Sequence, residues 1–107
     1  MFVRAADSPV KVVEPGVTRQ VLSHDSQLMI VKVGFRKGAV GALHAHPHRQ
    51  ATYVERGRFR FTIGDAVSEI ASGDSCFLPP DVRHGVVALE DGVLIDIFSP
   101  ARADFLG

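Results

Sequence analysis

RFRFTI, at residues 58–63, alternates polar and apolar side chains, and Gly64 and Asp65 follow it directly. Alternation with a period of two places the apolar side chains of a β-strand on one face and the polar ones on the other. Glycine tolerates the positive φ that two-residue hairpin turns require, so we expect the chain to reverse at Gly64 and Asp65. The stretch therefore predicts a β-hairpin whose second strand covers about 66–70.

The rest of the chain repeats this pattern of short apolar runs between turn residues. Ten glycines and six prolines divide its 107 residues, and no stretch has the 3.6-residue period of a long helix. Many short strands joined by turns indicate an all-β sandwich or barrel, and the length suits one domain over residues 1–107. We predict strands near residues 10–13, 18–22, 28–35, 41–46, 50–56, 58–63, 66–70, 75–78, 84–89 and 93–98.

Charge and composition argue against several classes of partner. Twelve Lys and Arg balance twelve Asp and Glu, and the basic residues are scattered, whereas phosphate binding by a nucleic-acid partner needs concentrated positive charge. Residues 1–8 lack the apolar segment of a signal peptide, and no apolar run approaches the roughly 18 residues of a membrane span. The single cysteine, Cys76, cannot form an intrachain disulfide. We therefore expect a cytoplasmic protein without a membrane or nucleic-acid partner.

Four of the five histidines lie in two short segments. His44 and His46 are two residues apart, so on a predicted strand both imidazoles share one face. Gln50 can direct its side-chain oxygen to the same point from the next strand, and His84 emerges after the rigid segment 79–83. Three imidazoles and an amide oxygen suit one divalent transition metal ion per chain, with room for water or substrate. Ni²⁺, Zn²⁺, Fe²⁺, Mn²⁺ and Co²⁺ are all compatible with these donors.

Two alternatives stay open from the residues alone. His48 could replace Gln50 as the fourth ligand, because its even spacing continues the face of His44 and His46. Pro47 should interrupt the strand at that point, which favours Gln50. All of these histidines could instead be polar side chains of a surface loop.

The spacing of glycine, proline and histidine resembles the two signature motifs of the cupin superfamily. The matching residues are Gly41, His44, His46, Gln50 and Gly57 in the first motif and Gly73, Pro79 and His84 in the second. The resemblance implies a single-domain cupin fold, that is, a double-stranded β-helix or jelly-roll barrel, with a metal held between the motifs. Many cupins have Glu where this chain has Gln50, and the neutral amide makes the site less negative.

The end of the chain carries a more particular resemblance. DIFSPARADFL, at residues 96–106, resembles the ending of the KdgF pectin-degradation cupins, and the likeness extends over about residues 28–106. It implies a metal-dependent enzyme, isomerase-like, for small-molecule unsaturated uronates. Such an enzyme converts 4,5-unsaturated uronates, released by pectate or alginate lyases, into the linear 4-deoxy-5-keto uronate. It also implies a homodimer.

The same resemblance assigns roles to individual residues. The family's metal ligands map onto His44, His46, Gln50 and His84, its catalytic residues onto Asp96 and Arg102, and its substrate-binding residues onto Arg102 and Phe98. Asp96, set among Ile and Leu, should have a raised pKa and move a proton near neutrality. Arg102 could clamp the substrate carboxylate. Phe98 could pack on the sugar ring or exclude water, and the alternative is that it only packs in the core. The structural alternative is that Asp96 pairs with Arg102 or Arg60.

Two other functions remain in competition with this one, because a fold does not define a reaction. An iron-dependent cupin dioxygenase could use the same ligands and would consume oxygen. A non-catalytic sugar-binding or sensory cupin would bind its ligand without turnover.

Overall fold

Ten β-strands and two short 3₁₀ helices form the regular structure of the chain, and a computed structural model describes all residues, 1–107. The 3₁₀ helices cover Ala5–Asp7 and Ala103–Phe105. None of the helices is long or apolar enough to span a membrane. The strands are β1 (Lys11–Glu14), β2 (Val17–His24), β3 (Met29–Phe35), β4 (Val40–His44), β5 (Arg49–Arg56), β6 (Arg58–Ile63), β7 (Ala66–Ala71), β8 (Ser75–Leu78), β9 (His84–Ala88) and β10 (Gly92–Ser99).

The strands form two sheets in which every pairing is antiparallel. One sheet has the order β1-β2-β3-β10-β5-β8 and the other the order β4-β9-β6-β7. From β3 to β10 the chain crosses between the sheets after nearly every strand, and only β6 and β7 follow each other within one sheet. This interleaved order of eight strands is that of a jelly roll. The predicted all-β, jelly-roll fold class is therefore confirmed.

The hairpin predicted from RFRFTI is present. β6 pairs with β7 from Arg58 opposite Ala71 to Ile63 opposite Ala66, so the loop contains only Gly64 and Asp65. Gly64 has a φ of 57°, the left-handed conformation that glycine adopts without steric cost.

The core lies between the two sheets and is formed by alternate residues of their strands. In β3 every second side chain is buried, and β5 follows the same period. Such alternation is the consequence of one apolar face per strand. The buried core cluster comprises Val17, Met29, Val31, Val33, Phe35, Val54, Phe59, Phe61, Ala88, Leu94 and Phe98.

One predicted strand is too long. The prediction placed a strand over 41–46, but β4 ends at His44, so His46 does not share a strand face with His44. The carbonyl oxygen of His46 accepts a hydrogen bond from the amide of Asp81, 2.8 Å away, in the loop before β9. Pro47 has no amide hydrogen to continue a ladder. The chain therefore leaves the sheet after His44.

Gly57 illustrates why a motif glycine is needed between β5 and β6. Its φ is 89°, and a Cβ atom added there would lie 2.6 Å from the carbonyl oxygen of Asp91. Because of both the backbone conformation and the close approach, any side chain larger than that of glycine would be strained here.

Candidate active site

Three histidine rings converge where β4 ends and β9 begins. His44 is the last residue of β4 and stands opposite His84, the first residue of β9. His46 follows two residues after β4, and its ring centroid lies 4.8 Å from that of His84 and 5.6 Å from that of His44. Their ligand atoms all lie within 4.8 Å of one another. The predicted histidine ligands are thus brought together, and the cluster can hold a metal ion.

Backbone carbonyls orient all three rings in the same way. Nδ1 of His44 lies 2.9 Å from the carbonyl oxygen of Ala42, and Nδ1 of His84 lies 3.1 Å from that of Val82. His46 makes the equivalent contact, 3.1 Å, with the carbonyl oxygen of His48. Because a carbonyl oxygen only accepts, each Nδ1 carries the proton and donates it. In the neutral rings each Nε2 then has a free lone pair, as a metal ligand requires.

Burial keeps two of these rings neutral. It lowers the pKa of His84 to about 4, and it also lowers the pKa of His46. Loss of hydration disfavours the imidazolium form, so the rings present lone pairs rather than protons at neutral pH.

The side chain of Gln50, the second residue of β5, completes the cluster. Its Oε1 lies 2.9 Å from Nε2 of His46. Its amide nitrogen donates to Oγ1 of Thr52 at 2.9 Å, which fixes the orientation of the amide. Two electron-pair donors, an oxygen and an unprotonated nitrogen, therefore face each other in a buried place. Such an arrangement suits a cation, so this donor set fits a divalent metal ion.

His48, the alternative fourth ligand, lies outside the group of converging histidines. It is half-buried, and its Nδ1 is buried without a hydrogen-bond partner. Its ring packs against His46, 5.4 Å between centroids, and against Phe98. The geometry supports Gln50 rather than His48 as the fourth donor.

Asp96 is joined to this cluster by one intermediate side chain. Thr52, which is 1% exposed, accepts from Gln50 and donates its hydroxyl to Oδ1 of Asp96 at 2.7 Å. Asp96 is half-buried and borders a cavity. Burial raises the pKa of Asp96 to about 6, although the Thr52 hydroxyl acts in the opposite direction. A carboxyl group with this pKa exchanges protons close to neutrality.

The arginine pairing considered for Asp96 is wrong. The ion pairs of the chain join Lys32 to Glu55, Arg58 to Glu90 and Arg102 to Asp104. Arg102 donates from Nε and Nη2 to the two carboxylate oxygens of Asp104, at 3.1 and 3.0 Å. That short-range pair, two residues apart, occupies one edge of the guanidinium.

Asp96, the donors His44, Gln50 and His84, and the end of the chain border one cavity of about 150 Å³. Arg102 lies in its wall, stacked over Phe105 at 4.3 Å and near Phe98 at 5.2 Å. Phe98 is 2% exposed and packs edge to face against His46, so its ring supports the wall and belongs to the core. A larger and shallower groove of about 420 Å³ lies at the opposite end of the six-stranded sheet and contains no histidine.

Sequence reasoning missed Thr52 and Arg19, both of which border or link this site. Thr52 is two residues after Gln50, so the period of a strand could have placed both side chains on one face. Arg19 of β2 also lines the cavity, and no sequence motif points to it.

The jelly roll and its histidine cluster define a class of protein. Residues 31–98 match the Cupin domain family, and the chain therefore belongs to the cupins. Within that class it is 41% identical, over 102 residues, to the pectin degradation protein KdgF of Dickeya dadantii, with 94% of this chain and 93% of the relative covered.

Solved structures also show similarity to cupins and to KdgF. The structure of KdgF from Halomonas sp. matches with a TM-score of 0.93 and 38% identity, covering 98% of this chain and 97% of the other. An RmlC-like cupin from Shewanella frigidimarina matches with a TM-score of 0.94 and 42% identity, covering 97% and 94%. The resemblance to KdgF-like cupins is thereby confirmed.

Proposed function

We propose that this protein converts 4,5-unsaturated uronates into linear 4-deoxy-5-keto uronates, by ring opening and transfer of a proton to carbon 4. The main support for the proposal is a chain of hydrogen bonds that runs from Gln50 through Thr52 to Asp96. It connects the candidate metal ligands to a carboxyl group that can exchange protons, and Gln50 and Asp96 border the same cavity. The 41% identity to a pectin degradation protein supports the substrate class. Pectin and alginate lyases both release such uronates.

The metal would be held by His44, His46, His84 and Gln50. When bound, a divalent ion supplies a Lewis acid that polarises and orients sugar oxygens. Ni²⁺, Zn²⁺, Fe²⁺, Mn²⁺ and Co²⁺ all accept three imidazoles and an amide oxygen.

Asp96 moves the proton. The product gains a hydrogen on carbon 4 when its enol becomes a ketone, so a group that donates near neutral pH must stand beside that carbon. Asp96 has the required pKa, about 6, because it is buried. The hydroxyl of Thr52 donates to Oδ1 and holds the carboxyl in place, and we assign the proton transfer to the second oxygen.

Arg102 and Phe98 act as the wall of the substrate site. Asp104 and Phe105 fix the guanidinium of Arg102, whose remaining donors can reach a substrate oxygen. Phe98, almost fully buried, excludes water from the neighbourhood of His46 and Arg102 rather than offering a broad stacking surface.

We further propose that the protein acts as a homodimer in the cytoplasm. The outer face of the six-stranded sheet exposes Tyr53, Phe77 and Ile97, which lie near one another because Ala51 pairs with both Phe77 and Ile97. Aromatic residues are enriched in protein interfaces, and monomers seldom expose contiguous apolar patches. Sedimentation of the wild type and of Tyr53→Glu tests this: a dimer that the substitution disrupts supports it, and a monomeric wild type contradicts it.

Purified protein mixed with unsaturated galacturonate tests the proposed reaction. Loss of the conjugated enol is followed by ultraviolet absorbance, and the product by NMR, with metal-reconstituted and chelator-treated protein side by side. Turnover that requires metal and consumes no oxygen supports the proposal. Oxygen uptake would instead indicate a dioxygenase, and binding without turnover would indicate a sugar-binding or sensory cupin.

A further inference from the structure

Arg19 stands in the wall of the active-site cavity but belongs to none of the motifs. It lies on β2, far in sequence from the metal donors, and lines the same cavity as His44, His84 and Asp96. Its guanidinium carbon is 3.8 Å from the centroid of the Phe105 ring, a distance typical of a cation–π contact. The cavity therefore has a second cation besides Arg102.

The two arginines share Phe105 but differ in their partners. Arg102 lies 4.3 Å from the Phe105 centroid, and two of its donors are taken by Asp104. Arg19 forms no ion pair, and its guanidinium makes no hydrogen bond within the chain. Glu14, which also lines the cavity, does not pair with it either. All five N–H donors of Arg19 are thus free in their fixed, planar fork.

The surroundings of Arg19 favour an anionic ligand. Burial lowers the pKa of Arg19, Asp104 acts against this, and the charge of Arg102 adds to the lowering. The guanidinium nevertheless stays charged at neutral pH, because its ordinary pKa lies far above 7. A partly desolvated cation that forms no ion pair is stabilised by a carboxylate that enters beside it.

We propose that Arg19 binds the carboxylate of the sugar ligand through its free fork, while Arg102, fixed by Asp104, stands beside it as a second positive charge. The inference rests on the proposed function for its substrate class, uronates. It assigns to Arg19 the selection of acidic over neutral sugars, a role that the sequence motifs give to Arg102 alone. The competing explanation is that Arg19 only covers Phe105 and turns toward a separate pocket of about 200 Å³ that it borders with Lys11.

The test compares Arg19→Gln and Arg19→Lys with Arg60→Gln, a control at an exposed arginine of β6. Galacturonate and neutral galactose, neither of which has the reactive double bond, are titrated into zinc-loaded protein and followed by two-dimensional NMR. Kinetics with unsaturated galacturonate are measured in parallel, and urea unfolding confirms that each variant is folded.

We expect wild type and Arg60→Gln to prefer galacturonate to galactose. Arg19→Gln should weaken galacturonate binding about 10- to 100-fold, the range for hydrogen bonds to charged groups, and leave galactose binding unchanged. KM should rise by a similar factor with little change in kcat. The affinity of Arg19→Lys for galacturonate should lie between those of wild type and Arg19→Gln, because lysine keeps the charge but not the bidentate fork.

An unchanged preference for galacturonate in Arg19→Gln would overturn the inference, and so would a fall in kcat without a rise in KM. A wild type that binds both sugars equally would overturn it as well. The proposed reaction is tested independently by turnover. If neither wild type nor any variant turns over the unsaturated uronate, but Arg19→Gln still weakens the binding of galacturonate and not of galactose, the carboxylate site is supported and the proposed reaction is not.

Discussion

Asp96→Asn should separate activity from stability. Asparagine has nearly the same shape and its Oδ1 can still accept the hydroxyl of Thr52, so the contact at 2.7 Å is preserved. It cannot exchange a proton at neutral pH, and general acid–base catalysis typically contributes about 10²- to 10⁴-fold. We expect kcat on unsaturated galacturonate to fall within that range, while metal content and KM change little.

The same substitution should stabilise the metal-free fold. The pKa of Asp96 is about 6 in the folded protein against an ordinary value of 3.8. As the pH rises between these two values, Asp96 ionises in the unfolded chain but stays protonated in the folded protein. The free energy of unfolding therefore falls over this range, and the decrease is complete above pH 6. A difference of about 2.2 in pKa corresponds to about 3 kcal/mol. Asp96→Asn should therefore raise the free energy of unfolding by at most about 3 kcal/mol at pH 8, and it should leave it unchanged near pH 3.

The assay is urea unfolding of chelator-treated protein at pH 4 and pH 8, together with turnover by the metal-loaded protein. A bound cation would itself favour the carboxylate, so the stability measurement is made without metal. Asp65→Asn, at the exposed hairpin turn, is the matched control and should change neither quantity. Near-normal turnover in Asp96→Asn would show that Asp96 does not move the proton. A loss of stability at pH 8 would show that ionisation of Asp96 does not destabilise the fold.

Three other predictions concern the metal, the backbone and the thiol. His46→Ala should abolish stoichiometric metal binding by elemental analysis, whereas His48→Ala should keep one ion per chain; equal occupancy in both would contradict the ligand assignment. Gly57→Ala should lower the free energy of unfolding in urea by about 1–3 kcal/mol, because φ is 89° and no space is free; a change under about 0.5 kcal/mol would argue against this. Burial raises the pKa of Cys76 to about 11, so at pH 8 its thiol should react with alkylating reagents far more slowly in folded than in unfolded protein; similar rates would show that it is accessible.

Local patterns were enough to predict the strands. Each of the ten predicted strands is present, with its ends within two residues of the prediction, because alternation and turn residues act over a few neighbouring positions. The error at β4 has a long-range cause: the carbonyl of His46 bonds to Asp81 in a loop 35 residues away. No local pattern contains that contact.

The site was predictable only where residues are close in sequence or match a motif. The three histidines and Gln50 were identified from spacing, and the structure brings their donor atoms together. Arg19 was not identified from the sequence, because its position beside Phe105 depends on the packing of β2 against the end of the chain. The pair that Arg102 forms with Asp104, two residues further along the chain, was not predicted either.

We propose that Asp96, at the border of the cavity, delivers the proton to carbon 4. The most direct measurement is turnover of unsaturated galacturonate by metal-loaded protein in D₂O, with the earliest product examined by NMR. Delivery from one fixed group to one face of the enol predicts a single deuterium at carbon 4 in one configuration, formed in wild type and almost absent in Asp96→Asn. Deuterium distributed equally over both positions from the first time point would show that the enol is protonated in free solution and not by Asp96.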